Sequence, residues 1–243
     1  MIKGLSQPAH RWRNHTLTPI ALSRSSSPLI GLNDEQTLLD RNIELFVSGK
    51  RALNVLLWGE KGAGKSTMVR SLASKYSPKG LRIIEFCDND FYTIYDLYAM
   101  IRQYGGFKFI IYFDDVSFDD NDEKYRNFKS IVEGGLEEKP ANALFMATSN
   151  RRHLISETIR DTSDIYSRDD QNESASLYAR FGLSIGFYPL TRELYLEIAA
   201  HYLQGSTFSG WEEEAMAFAI ERGGRSGRVA EQFAIYKELT WKH

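Results

Sequence analysis

The 243-residue chain contains a single cysteine, Cys87. That excludes an internal disulfide framework and any cysteine-cluster zinc site. No stretch approaches the roughly 18 consecutive apolar residues of a membrane helix, so an integral helical membrane protein is excluded and no membrane partner is expected. The N-terminus lacks the apolar core of a secretory signal, and the expected compartment is a reducing cytoplasm. Charge of one sign is also scarce: the formal net charge is -2, too balanced for binding of polyanions by bulk electrostatics. Acid is absent from the first 33 residues, which hold Lys3, Arg11, Arg13 and Arg24 before Asp34 appears. That stretch also has Pro8, Pro19, Pro28 and the run Ser25-Ser26-Ser27, without helical or alternating apolar period. Residues 1–28 therefore read as an extended basic arm. It can be a solvated tail lying over the domain, or a contact to nucleic acid or to a neighbouring subunit. An organelle transit peptide fits less well, because proline breaks the amphipathic helix such peptides need.

What is present is ordinary globular composition, 42% hydrophobic and 26% charged. From Leu53 the pattern becomes regular. Leu53–Trp58 (LNVLLW) is a nearly continuous apolar run, as expected of a strand buried on both faces, and similar runs recur at 81–86, 108–113, 143–147 and 183–188. Segments with helical spacing alternate with them, at 66–76, 94–103 and 125–133. Strands alternating with helices predict an α/β domain over residues 29–189, with a mostly parallel sheet flanked by helices. After Pro189 the strands stop. Thr191 can cap a helix through 193–203, and 211–221 and 227–239 read as two more, so residues 190–243 are expected to form a small all-helical unit. The polar, weakly periodic stretch 156–176 reads as a long loop on the α/β body.

The strongest signal is Gly59-Glu60-Lys61-Gly62-Ala63-Gly64-Lys65-Ser66, a full match to the phosphate-binding loop G-x-x-x-x-G-K-[ST]. Glycines let backbone N–H groups approach phosphate oxygens, and the following helix offers its N-terminal dipole to the same charge. Lys65 is suited to reach the β- and γ-phosphates, and the Ser66 hydroxyl to ligate Mg²⁺. The loop follows a buried-strand pattern and opens a helical one, which is the setting the motif requires. A glycine turn with an exposed lysine is the alternative. A carboxylate for the metal is expected at a neighbouring strand end, and the 109–115 stretch FIIYFDD supplies it. There Asp114 would face Mg²⁺ and Asp115 would polarise an attacking water. A third strand end, Ala147-Thr148-Ser149-Asn150, places an amide where it can hold that water or touch the γ-phosphate, unless it is an ordinary polar turn. His153 reads as a helix-start residue.

The ordered set of P-loop, Asp-Asp strand end, Thr-Ser-Asn strand end, Arg180-Phe181-Gly182 and a helical tail with Ser226-Gly227-Arg228-Val229 resembles the AAA+ ATPases. More narrowly, it resembles a bacterial AAA+ family of unknown function with segments close to NVLLWGxxGxGKS, DDxSF, ATSNRRHL, RFGL and RSGRVAxQF. Here these lie at 54–66, 114–118, 147–154, 180–183 and 225–233, so the likeness spans about residues 29–233. Arg11-Trp12-Arg13 resembles the family's N-terminal arm. The resemblance implies an ATP- and Mg²⁺-dependent ATPase. It assigns Lys65, Ser66 and neighbouring Thr67 to the P-loop, with Gly59, Gly62, Ala63 and Gly64. Asp114 and Asp115 become the second motif, and Asn150 the sensor of the γ-phosphate. Arg180 becomes an arginine finger reaching into a neighbour's site, and Arg228 a second sensor in the helical lid. Leu29-Ile30-Gly31 matches the segment that packs on adenine.

Two departures stand out. The second acid is usually Glu, and Asp115 is one methylene shorter, which points to slow hydrolysis. The lead into Arg180 reads Ser174-Ala175-Ser176-Leu177-Tyr178-Ala179 rather than acidic and lysine-containing, so Arg160 and Arg168 also compete for the trans role. The expected function is a nucleotide-dependent homo-oligomer that remodels or loads a protein or protein–nucleic acid partner. The alternative is a slow-turnover, ATP-controlled module or loader on nucleic-acid complexes. Phe91-Tyr92 follows the second core strand, where ring-forming unfoldases place pore residues, but a helical core stripe explains Phe91, Tyr92, Tyr95 and Tyr98 more simply. A GTPase or small-molecule kinase fits poorly, since no N-K-x-D guanine motif occurs.

Overall fold

The computed structural model describes residues 5–22, 29–118, 123–135, 137–150, 179–204 and 209–240. Seven strands form one sheet in the order β2-β1-β4-β5-β6-β3-β7. They are β1 (Ala9–Arg13), β2 (Thr16–Ile20), β3 (Val55–Gly59), β4 (Leu81–Glu85), β5 (Lys108–Phe113), β6 (Ala143–Ser149) and β7 (Leu183–Phe187). All neighbouring pairs are parallel except β1–β2. Seven α-helices are described: α1 (Asn33–Val47), α2 (Lys65–Tyr76), α3 (Ile94–Arg102), α4 (Glu123–Glu133), α5 (Arg192–Tyr202), α6 (Trp211–Glu221) and α7 (Gly227–Thr240). No helix among the described residues is long and apolar enough to cross a membrane.

The continuous apolar runs split between two faces by their period of two. Val55, Leu57, Ile110 and Met146 join Leu39, Ile43, Met68 and Leu72 of α1 and α2 on one side. Leu56, Phe109, Ile111, Phe113 and Phe145 join Leu97 of α3 and Phe128 of α4 on the other. Helices on both faces leave the carboxyl ends of β3, β5 and β6 as the exposed rim. A third cluster, with Tyr195, Ala199, Ala215, Ala219 and Phe233, is the core of α5–α7. Thr191 caps α5, its hydroxyl accepting from the Leu194 amide at 3.2 Å.

The reading of residues 1–28 as a solvated extended arm needs correction. Residues 9–20 form a β-hairpin that extends the sheet, β1 pairing in parallel with β4. A two-residue turn joins the strands, with Asn14 and His15 both at positive φ (48° and 56°), the geometry that matches strand twist in tight hairpins. Trp12 is buried and its indole N–H donates to the Thr93 hydroxyl at 2.7 Å. Arg11 forks onto Glu85 at 2.8–3.1 Å, which engages one of the arm's few cations within the fold. Pro19, with no N–H for a ladder, sits on the outermost strand. The hairpin escapes a pattern search because both strands are five residues long and arginines flank the one large apolar anchor.

The aromatic stripe also divides. Phe91 stacks among Phe86, Phe113 and Phe128, and Tyr98 is buried. Tyr92, however, is 80% exposed and Tyr95 44%, so the core accounts for only two of the four. The expected loop at 156–176 lies outside the described residues.

Candidate functional site

The loop after β3 turns through three glycines at positive φ, Gly59 (125°), Gly62 (75°) and Gly64 (106°). At Gly59 a Cβ would stand 1.9 Å from the Phe187 carbonyl oxygen on β7, so only glycine fits. Gly64 is the N-cap of α2 and offers no side chain to the first-turn amides. Those donors and the helix dipole therefore face the cavity, as an anion site requires. Lys65 is buried, and its ammonium donates to the carbonyls of Gly59 (2.6 Å) and Glu60 (2.9 Å) and to Asn150 Oδ1 (3.2 Å). Burial pulls the Lys65 pKa down, while Asp115, Glu60 and Asp114 oppose that pull.

Asp114 and Asp115 follow β5 at the same rim. Three hydroxyls converge on Asp114 Oδ1: Tyr112 at 2.6 Å, Thr148 at 2.8 Å and Ser66 at 3.5 Å. Burial, then the neighbouring Asp114 carboxylate, push the Tyr112 phenol up, so it stays a proton donor. The Thr148 hydroxyl also accepts from the Asp115 amide at 2.8 Å. Asp115 adopts φ +52°, a rare backbone for a residue with a side chain, and its carboxylate accepts from the Asn150 amide. Asn150 thus bridges Lys65 and Asp115 from the end of β6. Asp115, despite its shorter side chain, reaches the Asn150 amide directly.

A cavity of about 460 Å³ opens over this rim. Gly62, Ala63, Gly64, Lys65, Ser66, Thr67, Asp114, Asp115 and Asn150 line its floor, and Ile30 and Arg228 its sides. Helix α7 is tied to the loop by the Gly227 amide, which donates to the Gly62 carbonyl at 3.1 Å. Ser226 caps α7 by accepting from the Val229 amide at 3.2 Å. Two expected residues are placed otherwise. Gly59 lies under the loop, and Gly31 faces Leu194 of α5, whose Cδ1 would be 2.5 Å from an added Cβ; neither lines the cavity.

Arg180 is exposed and far from this rim. Its carbonyl accepts from Asn54, just before β3, at 3.4 Å, whereas Lys65 lies beyond the other end of that strand. Five residues at about 3.3 Å each separate the two by roughly 17 Å, so Arg180 cannot serve its own cavity. Arg160, Arg168 and His153 lie outside the described residues.

Several lining residues had no motif to announce them: Arg70, Ile198, Tyr202 and Glu231. Ile198 and Tyr202, one turn apart on α5, join Leu29, Ile30 and Leu32 as the apolar part of the lining, and Leu29 and Leu32 pack beside Gly64 of the loop. The helical spacing of Ile198 and Tyr202 shows in the sequence, but which face of α5 meets the body does not. Among the described residues no cluster of three or more His, Cys, Asp or Glu could hold a metal alone. The donor set of Ser66 and Asp114 suits a hard cation that draws its other ligands from phosphate and solvent, the usual habit of Mg²⁺.

The sequence matches, over residues 6–239, the family described as "Protein of unknown function (DUF815)". The chain belongs to that family. No curated protein matches it. Among solved structures it is similar to the Thermotoga maritima RuvB Holliday junction branch migration motor, at 16% identity and TM-score 0.58 over 88% of this chain and 65% of that one. It is also similar to Aeropyrum pernix Orc1 in complex with DNA, at 14% identity and TM-score 0.63 over 89% and 62%. The FIGL-1 AAA domain in complex with ADP matches at 16% identity and TM-score 0.53 over 89% and 73%. The chain thus spans less than two thirds of the RuvB and Orc1 chains. At these identities the likeness shows the fold alone: this DUF815 member shares the helix-flanked parallel-sheet architecture of those structures.

Proposed function

We propose that the protein binds ATP with Mg²⁺ and hydrolyses it as a homo-oligomer that remodels or loads a macromolecular partner in the cytoplasm. One observation carries the reading: Lys65, Ser66, Asp114, Asp115 and Asn150 meet at one strand rim, beneath a lid bearing Arg228. Lys65 holds the β- and γ-phosphates, the glycine turns give their amides to the same charge, and Ser66 with Asp114 hold the metal. Mg²⁺, when bound, neutralises charge on the transferring phosphoryl group. Asn150 positions the attacking water and Asp115 takes its proton. Adenine lies against the apolar lining of Leu29, Ile30, Ile198 and Tyr202. Arg180, remote from its own cavity, completes that of a neighbour, where an arginine finger is worth about 10³–10⁵ in rate. Two of the similar structures are a Holliday junction branch migration motor and a protein in complex with DNA, which favours a partner containing nucleic acid.

The restraint of Asp115 favours a second reading, an ATP-controlled module with slow turnover. Its carboxylate is engaged by Asn150, so water activation competes with that bond. Turnover measured against protein concentration, beside solution mass with and without a non-hydrolysable ATP analogue, separates the two. The first reading expects nucleotide-dependent assembly, turnover that rises steeply with concentration, and its collapse in Arg180→Ala. Assembly with negligible turnover at every concentration selects the second. A folded parent that binds no ATP, or that binds it as well after Lys65→Ala, refutes both.

A further inference from the structure

A second cavity, of about 650 Å³, lies beside the nucleotide cavity. The two meet at the Gly227 amide bonded to Gly62, and Lys61, Gly62, Leu190 and Arg228 line both, whereas Arg222, Arg225 and Ser226 line only the second. Four cations line the second cavity, Lys61, Arg222, Arg225 and Arg228, against one carboxylate, Glu60, a sum of +3. None of the four has an ion-pair partner within 4.0 Å among the described residues. Glu193 is the further carboxylate in electrostatic reach of Arg225, and it forms no such pair. The Arg222 guanidinium lies over the Phe218 ring at 5.1 Å, which supports its stem and leaves its N–H groups to a ligand. Pro189, Leu190 and Val229 supply an apolar wall. The volume falls within the range of about 300–1,000 Å³ usual for small-molecule sites.

Convergent cations beside an apolar wall suit a phosphorylated small molecule, since guanidinium groups fork onto phosphate oxygens. We propose that this cavity is a second anion-binding site, on the side of the loop away from Lys65 and centred on Arg222 and Arg225, for a polyphosphate group carried either by a second nucleotide or by inorganic polyphosphate. Its walls belong to both bodies, Glu60 to Gly62 on the loop and Arg222 to Val229 on the lid. An occupant therefore bridges the two and resists lid opening, which slows exchange from the neighbouring cavity. Arg222 and Arg225 belong to this cavity and not to its neighbour, and the site does not require the proposed ATPase activity.

Isothermal titration of the full chain with a non-hydrolysable ATP analogue and Mg²⁺, and separately with inorganic tripolyphosphate, tests it. The analogue is expected to show two binding events per chain if a nucleotide fills the site. Tripolyphosphate binding to chain already carrying one equivalent of analogue identifies inorganic polyphosphate as sufficient. Lys65→Ala removes the P-loop event and leaves the other. Arg222→Gln combined with Arg225→Ala weakens the second event at least about tenfold and spares the first. Arg225→Ala alone serves should the double variant unfold, as judged by circular dichroism. The idea is overturned if both probes bind only where Lys65→Ala abolishes them, or if a second event is indifferent to the arginine substitutions. Loss of the Lys65-dependent event alone would bear on the ATPase reading and not on this one.

Discussion

Thr148→Val tests whether the rim of the cavity is held together as described. The substitution keeps the branched shape of a side chain that is 1% exposed and removes only its hydroxyl. That hydroxyl accepts from the Asp115 amide and donates to Asp114, both at 2.8 Å, and lies 3.3 Å from the Tyr112 phenol. A lost bond to a charged carboxylate costs about 1.5–3 kcal/mol, and an amide left without its acceptor about 1–3. The gain from a buried methyl offsets up to about 1 kcal/mol, so the expected net loss is about 2–4 kcal/mol. For a chain of this size that lowers Tm by roughly 5–15 °C, readable by scanning calorimetry. Tyr112→Phe removes only one donor to Asp114 and should cost about 1–2 kcal/mol. Because the two hydroxyls share Asp114 Oδ1, the double variant should depart from additivity by at least about 0.5 kcal/mol. A Thr148→Val protein as stable as its parent, or strict additivity with Tyr112→Phe, refutes the shared network.

Gly59→Ala should destabilise the sheet by more than about 3 kcal/mol, because the added Cβ would meet a β7 carbonyl oxygen that cannot yield without parting β3 from β7. Near-parental melting by circular dichroism would contradict this. Lys139 donates to the Ala143 carbonyl and lies 5.5 Å over the Phe145 ring; burial brings its pKa down to about 8. The unfolded lysine holds its proton up to its ordinary 10.5, so folding releases a proton between those values and stability rises with pH across that window. Lys139→Met should therefore stabilise most at pH 7, its advantage shrinking by up to about 3 kcal/mol toward pH 10.5. Urea unfolding at several pH values reads this, and a pH-independent difference would count against it.

Much of the architecture was legible in one dimension, for a physical reason. A strand buried on both faces must be apolar at nearly every position, so 53–58, 108–113 and 143–147 announce themselves. The phosphate loop is equally plain, since its glycines are demanded by backbone geometry and Lys65 and Ser66 by chemistry. Asp114, Asp115 and Asn150 share one rim because they follow the carboxyl ends of adjacent parallel strands. Folding alone settled the rest. The hairpin depends on Arg11 meeting Glu85 and Trp12 meeting Thr93, partners 74 and 81 residues away. Tyr112 and Thr148 look like strand filler until two neighbouring strands bring their hydroxyls to one carboxylate oxygen. Ile198, Tyr202 and the arginines at 222 and 225 come to the loop only through the packing of the C-terminal helices beside it. Local pattern records what each segment buries; which buried or charged groups face one another is a property of the packed chain.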